Sequence, residues 1–126
     1  MKRLLAALMV MLTGLAAYSI AGGITVRWEL PTLNVDGSTI PATGPGSLAA
    51  TILEYGICTS TGAVPANPTI KRVEGVLTTA ELIGLVPGTE YCVRAKSENT
   101  FGQLSDYSNT VKKQAPYPVP RAPVIQ

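Results

Sequence analysis

Leu85-Val-Pro-Gly-Thr-Glu-Tyr91-Cys-Val93-Arg-Ala95 is the stretch whose reading decides the fold. Pro87-Gly88 is a turn dipeptide: proline presets φ at one central position and glycine accepts a positive φ at the next. Beyond the turn, Tyr91, Val93 and Ala95 alternate with Cys92, Arg94 and Lys96. Successive side chains of a strand point to opposite faces, so this segment predicts a half-buried strand, with Tyr91 at the joint between turn and strand.

The same period recurs on both sides of it. Ile24, Val26, Trp28 and Leu30 share a face until Pro31 ends the run. Residues 32–47 are loop-like, with an Asp36-Gly37 turn pair and a Gly44-Pro45-Gly46 breaker cluster. Residues 49–58 predict a strand with Thr51, Leu53 and Tyr55 inward and Ile52, Glu54 and Gly56 outward. A Gly/Pro/Asn loop over 59–68 follows, then strands over 69–74 and 76–83, the corner and its strand to about residue 98, a loop over 99–105, and a last strand over 107–113. Short strands at regular spacing, without a helical period, predict an all-β sandwich.

Composition narrows the class. The chain has 126 residues, 14% of them charged, with a formal net charge of +2. Lys2 and Arg3 account for that excess, and the remainder is neutral. A neutral surface lacks the clustered cations that nucleic acid requires. The first residues read as an export leader: Lys2-Arg3, an apolar run over 4–12, an interruption at Thr13-Gly14, and small residues at Ser19 and Ala21. Cleavage is placed after Ala21. The alternative is an uncleaved anchor over residues 4–21, at the short limit for crossing a bilayer. Two cysteines in a small exported domain favour a disulfide.

The leucine–proline–glycine–tyrosine spacing around Tyr91 resembles the corner between strands E and F of a fibronectin type III domain, where a tyrosine hydroxyl ties back to upstream backbone. Trp28-Glu-Leu-Pro31, Leu53-Glu-Tyr55-Gly56, Asn99-Thr-Phe-Gly102 and Ser105-Asp-Tyr-Ser-Asn109 extend the resemblance over residues 24–113, and the form is most similar to short bacterial and bacteriophage versions. The resemblance implies an all-β, immunoglobulin-like two-sheet sandwich over 22–113. It would follow a signal helix over 1–21 and precede a Pro-rich tail over 114–126. Strand A would be short or missing, because Gly22-Gly23 alone separates the cleavage point from strand B. The exposed strand B edge would then be covered by the tail, paired with a partner's strand, or solvated beside Arg27 and Glu29. In this fold strands C and F are antiparallel neighbours, which implies a Cys58–Cys92 bridge and a Glu54–Lys96 cross-strand pair.

Chemistry is sparse. The chain has no His, so the usual Ser–His and Cys–His pairs are absent and a zinc site is not expected. The carboxylates Asp36, Glu54, Glu74, Glu81, Glu90, Glu98 and Asp106 fall in strand-surface or turn contexts. No catalytic, cofactor or metal residue is assigned, and an enzyme is not expected. Trp28, Tyr55 and Tyr91 are expected inward, with Phe101 and Tyr107 packed at a loop base. Recognition is left to the loops over 32–47 and 99–105. The tail carries Pro116, Pro118, Pro120 and Pro123 and reads either as a disordered end or as an extended docking strap offering Tyr117, Val119, Val124 and Ile125. The expectation is a non-catalytic exported module acting through protein–protein contacts at the strand B edge or the tail. No nucleic acid is expected, and membrane contact only if the N-terminal segment is retained. The resemblance permits a virion or cell-surface accessory role in decoration or attachment. The alternatives are a glycan-binding accessory module and an inner-membrane-anchored periplasmic factor, such as one that excludes a competing phage.

Overall fold

A computed structural model describes residues 16–20 and 23–126. The described residues form seven strands: β1 Ala16–Ile20, β2 Gly23–Arg27, β3 Leu48–Ile57, β4 Thr69–Glu74, β5 Thr79–Ile83, β6 Glu90–Asn99 and β7 Val111–Gln114. They form a three-stranded sheet in the order β1-β2-β5 and a four-stranded sheet in the order β4-β3-β6-β7. Every pairing is antiparallel. The facing sides enclose Ile24, Val26, Trp28, Leu53, Leu82, Tyr91, Val93 and Ala95, with Tyr55 and Leu85 partly buried against them. Period-two alternation therefore places the inward set of each strand in one shared interior, as an aligned sandwich requires.

One expectation about the sheet edge is corrected. β1 comes from within the predicted leader and pairs with β2 from Ala16↔Arg27 to Ile20↔Gly23. Strand A is thus short but not missing, and the backbone groups on that edge of β2 are satisfied by β1. The expected signal helix otherwise falls on residues 1–15 and 21, which lie outside the described residues. Cleavage after Ala21 would remove β1 and reopen the β2 edge.

The register between β3 and β6 differs from the expected one by two residues. Gly56 lies opposite Cys92 and Glu54 opposite Arg94. A two-residue shift preserves the facing of every side chain, whereas a one-residue shift would have reversed it. The disulfide still forms, because Cys58 lies just past the last pair and its Cα sits 4.9 Å from that of Cys92. Cys92 is also fully buried although it points away from the main core. The loop after Cys58 folds over the outer face: Pro65 packs on Gly56, and Gly62 lies against the Lys112 side chain. Gly56 is required there, because a Cβ would stand 2.6 Å from Pro65 Cγ.

The last strand starts later than expected, at Val111. Upstream of it, two serine hydroxyls accept hydrogen bonds that a regular ladder gives to carbonyls. The Ser97 amide donates to Ser105 Oγ at 2.8 Å, and the Ala95 amide donates to Ser108 Oγ at 2.9 Å. The segment runs beside β6 without the strand geometry that the alternation suggested.

Candidate functional site

The corner around Tyr91 is a structural fixture. The Val86 amide donates to the Tyr91 hydroxyl at 2.9 Å, which locks the turn onto the strand that follows. Gly88 takes a φ of 78°. Its amide donates to the Ala115 carbonyl, and the Ala115 amide donates to the Thr89 carbonyl, each at 2.9 Å. The Tyr117 ring lies over Gly88, where a Cβ would stand 2.1 Å from the tyrosine oxygen. The corner therefore holds the root of the tail at this pole. Beyond it Val119, Val124 and Ile125 are exposed, as is most of Tyr117.

The most elaborate polar cluster lies on the outer face of β3 and β6. Glu54, on β3, is buried. It accepts hydrogen bonds from Arg94 Nη2 at 2.8 Å and from the Tyr107 hydroxyl at 3.0 Å, and Lys96 Nζ stands 3.4 Å away. The Arg94 guanidinium also sits 3.7 Å from the Tyr107 ring centroid. Burial pushes the Glu54 carboxyl up. The hydrogen bonds from Arg94 and Tyr107 and the charges of Lys96 and Arg94 outweigh it and hold the group below its ordinary value. A carboxylate held ionised at neutral pH between two cations is a poor proton carrier, so the cluster is a clasp. Tyr107 thus packs on the outer face, not at a loop base.

The sign of the pH effect follows. A carboxyl whose pKa is lower folded than unfolded stabilises the fold above its unfolded value, near 4.5 here, and that contribution is lost as pH falls through the folded pKa. Glu54→Gln is expected to be less stable than the parent at pH 7, with the gap narrowing at an acid pH below the unfolded value near 4.5. Urea denaturation at the two pH values checks this; a gap that stays constant would contradict it.

The two loops singled out for recognition meet at the pole opposite the tail's root. In the first, Leu33 bridges Thr39, and a tight turn forms at Asp36-Gly37 with Gly37 at φ 89°. Asp36 Oδ1 accepts from the Ser38 hydroxyl at 2.6 Å and from the Ser38 amide at 2.9 Å. These bonds hold the carboxyl below its usual range. In the second, Asn99 Oδ1 accepts the amides of Phe101 and Gln103, both at 3.0 Å. Thr100 joins the two loops: its amide donates to the Ser47 carbonyl at 3.0 Å, and its hydroxyl accepts the Gly46 amide at 2.7 Å.

Between these loops lies an open groove of about 660 Å³. Leu33, Val35, Phe101 and Leu104 line it, and each is more than half exposed. Phe101, expected at a loop base, is instead 68% exposed, because the Asn99 turn projects it outward. Among the described residues, Asp36 is the one charged side chain in the lining. An apolar lining with one carboxylate offers shape, apolar contact and one negative charge, which suits binding. Sequence reasoning named the loops but not their union, which depends on Thr100 reaching across residues 46 and 47. Among the described residues, no His/Cys/Asp/Glu cluster could hold a metal, and no helix is long and apolar enough to cross a membrane.

No family model matches the chain, and no curated protein matches its sequence. Solved structures do match. The FN1-FN3 domains of chicken CNTN1 align with a TM-score of 0.61 at 16% identity, over 83% of this chain and 31% of that one. The sixth fibronectin type III domain of human fibronectin type III domain containing protein 3 aligns at a TM-score of 0.58 and 21% identity, over 87% and 89% of the two chains. The fibronectin type III domain derived from human KIAA0970 protein gives 0.61 and 18%, over 94% and 82%. At these identities the likeness concerns backbone and not sites. Two antiparallel sheets in the orders β1-β2-β5 and β4-β3-β6-β7, joined by a tyrosine-bearing corner, give this chain the fibronectin type III fold.

Proposed function

We propose that the protein is a non-catalytic, exported interaction module that binds a protein partner through the groove between the 32–47 and 99–105 loops. The observation that carries this reading is the exposure of Leu33, Val35, Phe101 and Leu104 on loops already tied together by Thr100. An apolar patch on a prearranged surface loses little conformational entropy on binding and gains the full desolvation of its side chains. The disulfide and the leader-like first residues support an oxidising compartment outside the cytoplasm. A role as an accessory on a phage or bacterial surface extends the same reading and rests on family likeness.

The test is affinity capture from the native host with the parent protein and with Phe101→Ser/Leu104→Ser, both exposed positions. A partner retained by the parent and depleted at least tenfold by the variant is the expected result, since central apolar anchors contribute about 2 kcal/mol or more each. Equal retention by both would sink the reading. Mass spectrometry of the same samples reads the N-terminus: a start at Gly22 marks cleavage, and a start at Met1 marks retention.

A further inference from the structure

We infer that the groove's occupant is the Pro-rich tail of a second copy of this chain, so that molecules associate head to tail. The inference rests on the groove being a recognition surface, as proposed above. The groove and the root of the tail sit at opposite poles. Ala115 is held by Gly88 and Thr89 beside the start of β6, while the groove is built on Asn99 and its neighbours at the end of β6. The ten residues of β6 separate the poles by about 30 Å, at roughly 3.3 Å per residue. Tyr117 is pinned over Gly88. Arg121, four residues on, is then at most about 14 Å from it even with the chain fully extended. Residues 118–121 therefore cannot reach their own groove, but they are free to reach another molecule's.

The chemistry matches across that contact. Pro116, Pro118, Pro120 and Pro123 bias the tail toward an extended left-handed helix that is already ordered before it docks. Such segments bind grooves lined by apolar and aromatic side chains. Here Phe101, Leu33 and Leu104 supply that lining. The one charged side chain among residues 116–126 is Arg121, and the one in the groove lining is Asp36 among the described residues, so the pair sets polarity and register. Because the two contacting surfaces differ, the association is heterologous and propagates as an open chain unless its rotation happens to close a ring.

The experiment titrates a synthetic peptide of residues 116–126 into the isotope-labelled protein and follows backbone amides by NMR. Shifts confined to residues 33–39 and 99–105 are expected, with at least tenfold weaker binding to the Phe101→Ala protein and at least threefold weaker binding of a peptide carrying Arg121→Glu. Sedimentation should show concentration-dependent association of the parent that is lost when residues 118–126 are deleted. No peptide shifts, shifts mapping to a sheet edge, or identical sedimentation of parent and deletion would overturn the inference. If the peptide fails while partner capture still depends on Phe101 and Leu104, self-docking fails and the groove reading stands. If neither depends on those residues, both fail.

Discussion

Removing the Cys58–Cys92 bridge lowers the unfolding free energy by about 4 kcal/mol, the loop-closure value for the 34-residue separation it spans. For a domain of this size, each kcal/mol moves the thermal midpoint by roughly 4–8 °C, so the midpoint falls by roughly 15–30 °C. The bridge ties the end of β3 to the start of β6, two strands that are already neighbours. Its effect is therefore mainly on the unfolded chain, whose freedom it restricts, and only slightly on native contacts. The paired Cys58→Ala/Cys92→Ala variant is the cleaner test, because Cys92 is fully buried and a serine there would add an unpaired hydroxyl. Thermal denaturation of that variant beside the oxidised parent gives the number directly. A midpoint shift below about 5 °C, equivalent to about 1 kcal/mol, would mean that the bridge constrains little.

Trp28→Ala is expected to cost about 3–5 kcal/mol, the range for truncating a large aromatic side chain in a packed core. Trp28 is 4% exposed and sits just past β2. Its amide donates to the Thr78 carbonyl at 3.0 Å, prolonging the pairing of β2 with β5. The truncated side chain leaves a cavity between the sheets that neighbouring β-branched and short side chains cannot fill. Small domains hold only about 5–15 kcal/mol in total, so the loss is a large share of the stability and the thermal midpoint is expected to fall by more than about 10 °C. Because Trp28 is the sole tryptophan, unfolding is followed by circular dichroism. Phe101→Ala, an equally drastic truncation at an exposed position, should change stability by no more than about 0.5 kcal/mol. Equal losses for the two would contradict the assignment of one to the core and the other to a binding surface.

The alternation of Ile24, Val26 and Trp28, of Thr51, Leu53 and Tyr55, and of Tyr91, Val93 and Ala95 was enough to assign strands and their inward faces. A period of two has one geometric meaning when turn chemistry bounds it. The strand boundaries were less legible. β7 begins late because Ser105 and Ser108 offer hydroxyls that replace backbone acceptors, and side-chain competition of that kind leaves no periodic trace. Cys92 and Glu54 were correctly placed on the outward face, yet both are buried. Facing is local, whereas burial depends on what folds over the face: the loop carrying Pro65 in one case, and Arg94 and Tyr107 in the other.

The cysteine pairing and the tyrosine corner rested on the resemblance to fibronectin type III domains, whereas the linear order of residues by itself determined the extended segments, their inward faces and an all-β sandwich. These follow from periodicity and turn residues, which act within a few positions of one another. Only the tertiary structure decided that β1 completes the first sheet, that β3 and β6 pair two residues away from the expected register, and that Phe101 faces outward beside Leu33 across a groove. Each of these depends on contacts between segments distant in sequence. Such contacts are chosen by the total packing and hydrogen bonding of the folded chain, and no local pattern encodes them.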